Sequence, residues 1–267
     1  SRDIEVNDVI EEQTRQNSKK IIKETLHNLT FSKKIDTRKI KNAVSNIVDD
    51  ILNSTKNILI NMVDIKSFDD YTFEHSVNVA VLAIILGKSL KYNQRKLNRL
   101  GIGAILHDIG KTLIPKNILN KPGDLTDEEY NIIKKHTRLG YNYLSENTQI
   151  NAVSKTAVLS HHERIKGNGY PKGIYKDKIH EYAKIVAITD VFDALSSKRI
   201  YRDRWPLHKA ANYLMSNTNN KFDHYLVEKF IRNLALYPNG TTVKLSNGKK
   251  AIIKKQNPNY PTRPIVK

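Results

Sequence analysis

The 267-residue chain contains no cysteine. No disulfide can form and no thiolate can bind a metal, so any metal site must use histidine, carboxylate or water. Long apolar runs are also missing. The longest, Val79 to Leu86, falls far short of the roughly 18 residues that a membrane-spanning helix needs. Glycine and proline are absent from Asp8 to Met62, which leaves that stretch without the usual helix breakers. No secretory signal opens the chain, so a reducing cytoplasm is the expected location. The chain begins at Ser1 rather than Met, which points to an excised piece with an upstream part missing. Acidic residues are scarce relative to basic ones: 27 Asp and Glu against 45 Lys and Arg give a formal charge of +18. That balance favours polyanionic partners, whether nucleic acid, nucleotide or an anionic membrane surface, although a solvated Lys-rich surface accounts for most such charge. Aromatic residues do not interleave with the basic ones in a stacking pattern, so no specific DNA or RNA partner is expected.

Apolar residues nonetheless recur regularly, which excludes a disordered chain. Asp8 to about Met62 reads as two helices, the second carrying Ile40, Val44, Ile47, Val48, Ile51, Leu52, Ile58 and Met62 as the stripe of an amphipathic helix. Further helices are expected over His75–Leu90, Leu97–Ile109, Val153–Glu163, Glu181–Ser197, Leu207–Ser216 and Tyr225–Leu236. Thr126 with Glu129 reads as a capping box that opens a helix running to about Ser145. Thr241–Leu245 and Lys250–Lys254 read as a β-hairpin around Asn247-Gly248, followed by an extended proline-rich tail.

Five of the nine histidines fall where a metal site would want them. His107-Asp108 and His161-His162 each end an apolar helix, His136 lies on the capped helix, and His75 opens a buried one. Asp190 sits inside the apolar run Ile185–Leu195, where an unpaired carboxylate would cost several kcal/mol. Each feature alone is weak, because an adjacent His-Asp pair is common by chance. His27, His180, His208 and His224 lie in polar surroundings and read as surface histidines. An imidazole and carboxylate site suits Mn, Fe or Zn. One carboxylate can bridge two cations, and two cations with a bridging hydroxide suit an in-line displacement at phosphorus. Lys111, four residues after His107, and Arg199 and Arg202, past Asp190, offer positive charge for phosphate oxygens.

His107-Asp108-Ile109-Gly110-Lys111 resembles the motif of the HD phosphohydrolases. His161-His162-Glu163-Arg164-Ile165-Lys166-Gly167-Asn168-Gly169-Tyr170-Pro171 resembles the signature of the HD-GYP family. The likeness extends over roughly Asp64 to the C-terminus, through Thr72–Val77, His136 with Leu139-Gly140, Asp190–Leu195, Arg199, Tyr201 and Arg202. It implies an all-α fold: an HD-type helical bundle at 67–238, preceded by a helical segment at 1–66 for signal transmission or dimerisation. A small β-hairpin and extended tail follow at 239–267.

The resemblance further implies a phosphodiesterase that hydrolyses cyclic di-GMP to the linear dinucleotide or GMP, or acts on cyclic GMP-AMP. His75, His107, Asp108, His136, His161, His162 and Asp190 would be metal ligands, with Asp108 bridging two divalent ions, Fe or Mn. Asp108 and Lys111 would be catalytic. Lys111, Gly169, Tyr170, Pro171, Asp193, Arg199 and Arg202 would meet the substrate. The Gly-Tyr-Pro loop would also serve a signalling protein partner, and the N-terminal helices a homodimer. Members with a third metal carry a Glu four residues before the first His. Here that position is Tyr71, so two metals are expected. Lys166 stands where Asp or Asn is frequent and adds positive charge beside the pocket. The competing readings are a signalling module that binds nucleotide without turnover and an HD phosphohydrolase for another nucleotide.

Overall fold

A computed structural model of the chain describes residues 9–32, 34–54, 71–197, 204–257 and 260–267. The helices are α1 (Glu12–Ser32), α2 (Thr37–Asn53), α3 (Tyr71–Ser89), α4 (Gln94–Ile105), α5 (Lys116–Leu119) and α6 (Asp127–Lys134). After them come α7 (His136–Asn147), α8 (Ala152–Ser160), α9 (Glu181–Ser196), α10 (Leu207–Ser216) and α11 (His224–Arg232). A small sheet ends the chain: β1 (Thr242–Lys244), β2 (Lys250–Lys255) and β3 (Ile265–Val266), antiparallel in that order. No described helix is long and apolar enough to cross a membrane.

The fold is the all-α bundle with a β appendage that the sequence implies. Helix α3 is its axis. Val77 and Val79 through Leu86 are all buried, because the helix is apolar all round and is enclosed by α4, α9, α1 and α2. Asn93 caps α4 through a bond from the Lys96 amide, and Asp36 caps α2 through the Arg38 amide, each satisfying amides that a helix start leaves unpaired.

One apolar cluster holds the bundle together. It runs from Ile22, Leu29 and Ile40 through Val44, Ile47 and Ile51 to α3, α4, α9 and α11. The N-terminal helices therefore cover the bundle and share its core. Phe192 and Phe230 pack within it as an edge-to-face pair at 5.1 Å.

Several elements differ from expectation: α3 starts at Tyr71 rather than His75, α8 ends at Ser160 rather than Glu163, and α11 ends at Arg232 rather than Leu236. The capped helix is two helices. Thr126 and Glu129 form the capping box of α6, but the ladder breaks at Lys135, whose amide bonds back to Ile132 and Ile133, and α7 restarts at His136. Helix α4 stops at Ile105, and a 3-10 turn covers Ile109–Leu113. The tail is not merely extended: it returns to β2, with Ile253 opposite Val266. The expectation for residues 55–62 lies outside the described residues, as do Arg199, Tyr201 and Arg202.

Candidate metal centre

Three helix ends and two helix faces meet at one place. His107 and Asp108 occupy the turn between α4 and the 3-10 segment. His136 opens α7, His161 caps the end of α8 with His162 next to it, His75 comes from α3 and Asp190 from α9. The structure thus brings together all seven residues named above as ligands. Asp108, His136, His161 and His162 present ligand atoms within 4.8 Å of one another, and so do His75, His107 and Asp108. Asp108 belongs to both groups.

Its two oxygens divide the site. Oδ1 lies 3.3 Å from His136 Nε2 and 3.8 Å from His161 Nε2. Oδ2 lies 3.3 Å from His107 Nε2 and 3.9 Å from His75 Nε2. Asp190 Oδ1 closes the second group at 3.2 Å from His75 Nε2 and 3.9 Å from His107 Nε2.

The protons explain why this arrangement calls for cations. His107 Nδ1 donates to the Ala104 carbonyl at 2.7 Å, His136 Nδ1 to Ile133 at 2.8 Å, and His161 Nδ1 to Val158 at 3.0 Å. A neutral imidazole carries one N–H, so each Nε2 turns a lone pair inward. His136 and His161 hold these two Nε2 atoms 3.5 Å apart, both beside Asp108 Oδ1. Asp108 Oδ1 and His107 Nε2 are buried without a hydrogen-bond partner. Lone pairs converge on lone pairs, and a divalent cation is what satisfies them. The residues therefore fit a metal centre.

Burial keeps His136, His161 and His162 neutral, as metal ligands must be. It lowers His136, holds His161 well below the ordinary histidine range and pulls His162 down to about 3. His75 behaves oppositely. Burial disfavours its charge, but hydrogen bonds to Asp190 and Asp193 outweigh that and push it up to about 10, so a cation binding at Nε2 would have to displace the proton there. Burial likewise opposes ionisation of Asp108 and Asp190, yet both are held well below the usual carboxylate range, by Lys111 and His107 for the first and His75 for the second.

Two side chains sit elsewhere than their place in the sequence suggests. Lys111 does not sit one α-turn above His107. The 3-10 turn places it over Asp108, and its Nζ donates to Asp108 Oδ2. Asp193 does not face a substrate. It is fully buried, with Oδ2 on His75 Nδ1 at 2.7 Å and Oδ1 accepting from Asn78 Nδ2 and Ser197 Oγ, both at 3.0 Å. It lies one turn from Asp190 on the same face of α9 and supports His75 from behind.

The Gly-Tyr-Pro loop forms the wall beside His162. Tyr170 stacks on the His162 ring at 4.5 Å, and Arg138 donates to the Pro171 carbonyl at 3.1 Å. Glu163, noted in the sequence only as part of the motif, organises the loop. Its carboxylate is buried and accepts from the Lys172 and Ile174 amides at 2.8 and 3.1 Å. A Cβ on Gly169 would overlap the backbone of His162 and Arg164, so the loop can cross there only at glycine. Lys166 is exposed. Glu74 is committed to α1: its Oε1 accepts from Lys19 Nζ at 2.7 Å. The Tyr71 side chain is outside the described residues.

Comparison with known proteins places this arrangement. The family model for the HD domain matches residues 46–226. The chain is 36% identical over 226 residues to the cyclic di-GMP phosphodiesterase PA4108 of Pseudomonas aeruginosa, covering 84% of this chain and 54% of that protein. It is 35% identical over 181 residues to the 3'3'-cGAMP-specific phosphodiesterase 1 of Vibrio cholerae, covering 67% and 41%. Among solved structures, Bd1817, an HDG"Y"P protein from Bdellovibrio bacteriovorus, superposes with a TM-score of 0.63 at 22% identity, covering 85% of this chain and 73% of that one. The chain belongs to the HD domain family, and within it to the HD-GYP group. It spans about half the length of the curated relatives it matches.

Proposed function

We propose that the chain is a metal-dependent phosphodiesterase for cyclic dinucleotides, cyclic di-GMP above all, giving the linear dinucleotide or GMP. The observation that carries the reading is Asp108, whose two carboxylate oxygens each face a separate set of imidazole lone pairs. The names of the relatives in Pseudomonas aeruginosa and Vibrio cholerae support the substrate class.

His136, His161 and His162 would hold one ion, His75, His107 and Asp190 the other, and Asp108 both. Bound ions would supply Lewis acidity toward a phosphoryl oxygen and a water of lowered pKa. The protein's own groups do the rest. Lys111 keeps its ammonium at the mouth of the site, a third exposed, where a phosphate oxygen can compete with Asp108 for it. Tyr170 offers a ring face in line with His162 against which a nucleobase can lie. Arg199 and Arg202 are assigned to the substrate phosphates on their place in the motif, and the Gly169-Tyr170-Pro171 loop to shaping the pocket.

The test is hydrolysis by protein loaded without oxygen with Mn(II) or Fe(II), offered cyclic di-GMP and cyclic GMP-AMP in parallel. Conversion of cyclic di-GMP, abolished by Asp108→Ala, is expected. Bound metal with neither substrate converted would refute the enzymatic reading.

A further inference from the structure

The N-terminal helix reaches the metal centre through a continuous polar chain. Arg15 of α1 donates from its guanidinium to Asn78 Oδ1 at 2.8 Å. Asn78 Nδ2 donates to Asp193 Oδ1 at 3.0 Å, and Asp193 Oδ2 pairs with His75 Nδ1 at 2.7 Å. His75 Nε2 is the ligand atom. All four residues are at least nine-tenths buried.

The chain has one direction only. A guanidinium can only donate and an ionised carboxylate can only accept. Asn78 must therefore turn its carbonyl to Arg15 and its amide to Asp193, and His75 Nδ1 must carry the proton. Each link fixes the next, and the last fixes the ring plane and the tautomer that aims Nε2 inward. Removing the first link leaves a buried carbonyl unpaired and frees the amide to flip, which would set two acceptors against each other at Asp193.

A second bridge lies one turn away. Lys19 of α1 pairs with Glu74 of α3 at 2.7 Å. Arg15 meets Asn78 and Lys19 meets Glu74, so the helices run antiparallel and the two bridges straddle His75. The Lys19 pair holds α1 against α3 through Glu74, one turn from the Arg15–Asn78 link.

We infer that Arg15 is a positioning residue of the metal centre, acting through Asn78 and Asp193 on His75, so that the docked N-terminal helix is part of the site. The inference rests on the metal-centre reading above. It makes metal affinity answer to the seating of α1.

Chelator competition with Mn(II) on the full chain tests it, alongside the thermal midpoint of each metal-free variant. Arg15→Met should weaken Mn(II) retention about tenfold or more, the scale for losing a partner behind a ligand. Arg15→Lys, which can still donate, should restore part of it. Lys19→Met should lower the thermal midpoint yet keep wild-type retention. Retention in Arg15→Met within about twofold of wild type would overturn the inference, and so would an equal loss in Lys19→Met, which would reduce the effect to helix docking. Should Arg15→Met fail to fold, Asn78→Ser carries the same expectation and the same refutation. A wild-type protein that retains no Mn(II) would sink the metal-centre reading itself, a result distinct from equal retention in wild type and variant.

Discussion

Asp108 serves two groups of ligand atoms with one carboxylate, and no other residue of the centre belongs to both. Its loss should therefore exceed the effect of losing any single histidine. Asp108→Ala is expected to lower turnover by more than the roughly hundredfold that outer partners reach, with metal content falling in parallel. Wild-type metal content with wild-type turnover would contradict this. Gly110 matters for a different reason: a Cβ there would overlap the His136 carbonyl oxygen and lie 2.6 Å from the Gly140 amide nitrogen. Gly110→Ala forces backbone apart where α7 meets the His-Asp turn, and should cost about 3 kcal/mol or more in a denaturant titration. At this scale the sequence was informative about what must be gathered and poor about which way each group points. The seven ligand positions were legible through their resemblance to the HD-GYP motifs, since a His-Asp or His-His pair at a helix end is by itself common. The role of Asp193 was not, because one turn of α9 separates a group that faces the site from one that stands behind His75, and only packing decides between them. Glu163 was hidden for the same reason: its partners are backbone amides nine and eleven residues on, which no side-chain pattern encodes.

At the scale of elements, short local interactions set where helices begin. Asp223 caps α11 by accepting from the Leu226 amide at 3.3 Å and pairs with Lys176 at 3.0 Å. Burial raises its carboxyl, but the Lys176 and Leu226 contacts outweigh that and hold it below its ordinary value. A folded value below the unfolded one stabilises fully above about pH 4 and is lost as pH falls through the folded value. Asp223→Ala should cost about 1 kcal/mol at neutral pH, and the gap from wild type should close in acid. A gap unchanged down to pH 2 would contradict the assignment. Boundaries were the least legible part of the sequence. Nothing in Lys134-Lys135-His136 marks the break between α6 and α7. It arises because His136 takes the Ile133 carbonyl with its own ring nitrogen, in competition with the backbone ladder. Strand β3 escaped notice because its partner β2 lies ten residues upstream, beyond a proline-containing stretch that reads as extended.

For the whole molecule, a bundle whose helix ends converge on cations should be held together by them. Loading with Mn(II) at about a hundred times its dissociation constant should add about 2.7 kcal/mol, or roughly 5–10 °C in thermal midpoint for a chain of this size. Asp108→Ala should lose that gain while its metal-free midpoint stays near wild type. A midpoint in the wild type that ignores metal would speak against a centre at the junction of α3, α4, α7, α8 and α9. The apolar cluster running from Ile10 to Leu236 carries the same lesson. The helical stripes announced amphipathic elements, and the bundle shows that the N-terminal pair turns its stripe onto the same core that positions His75.

The number of ions the protein holds is the most direct measure of the centre. Metal content measured per chain after anaerobic loading with Mn(II) and removal of excess should come to about two in the wild type, since Asp108 Oδ1 and Oδ2 face separate histidine sets. It should fall below one in Asp108→Ala. A wild type that retains no metal, or an Asp108→Ala variant that retains as much as wild type, would contradict the reading of these residues as a shared two-ion centre.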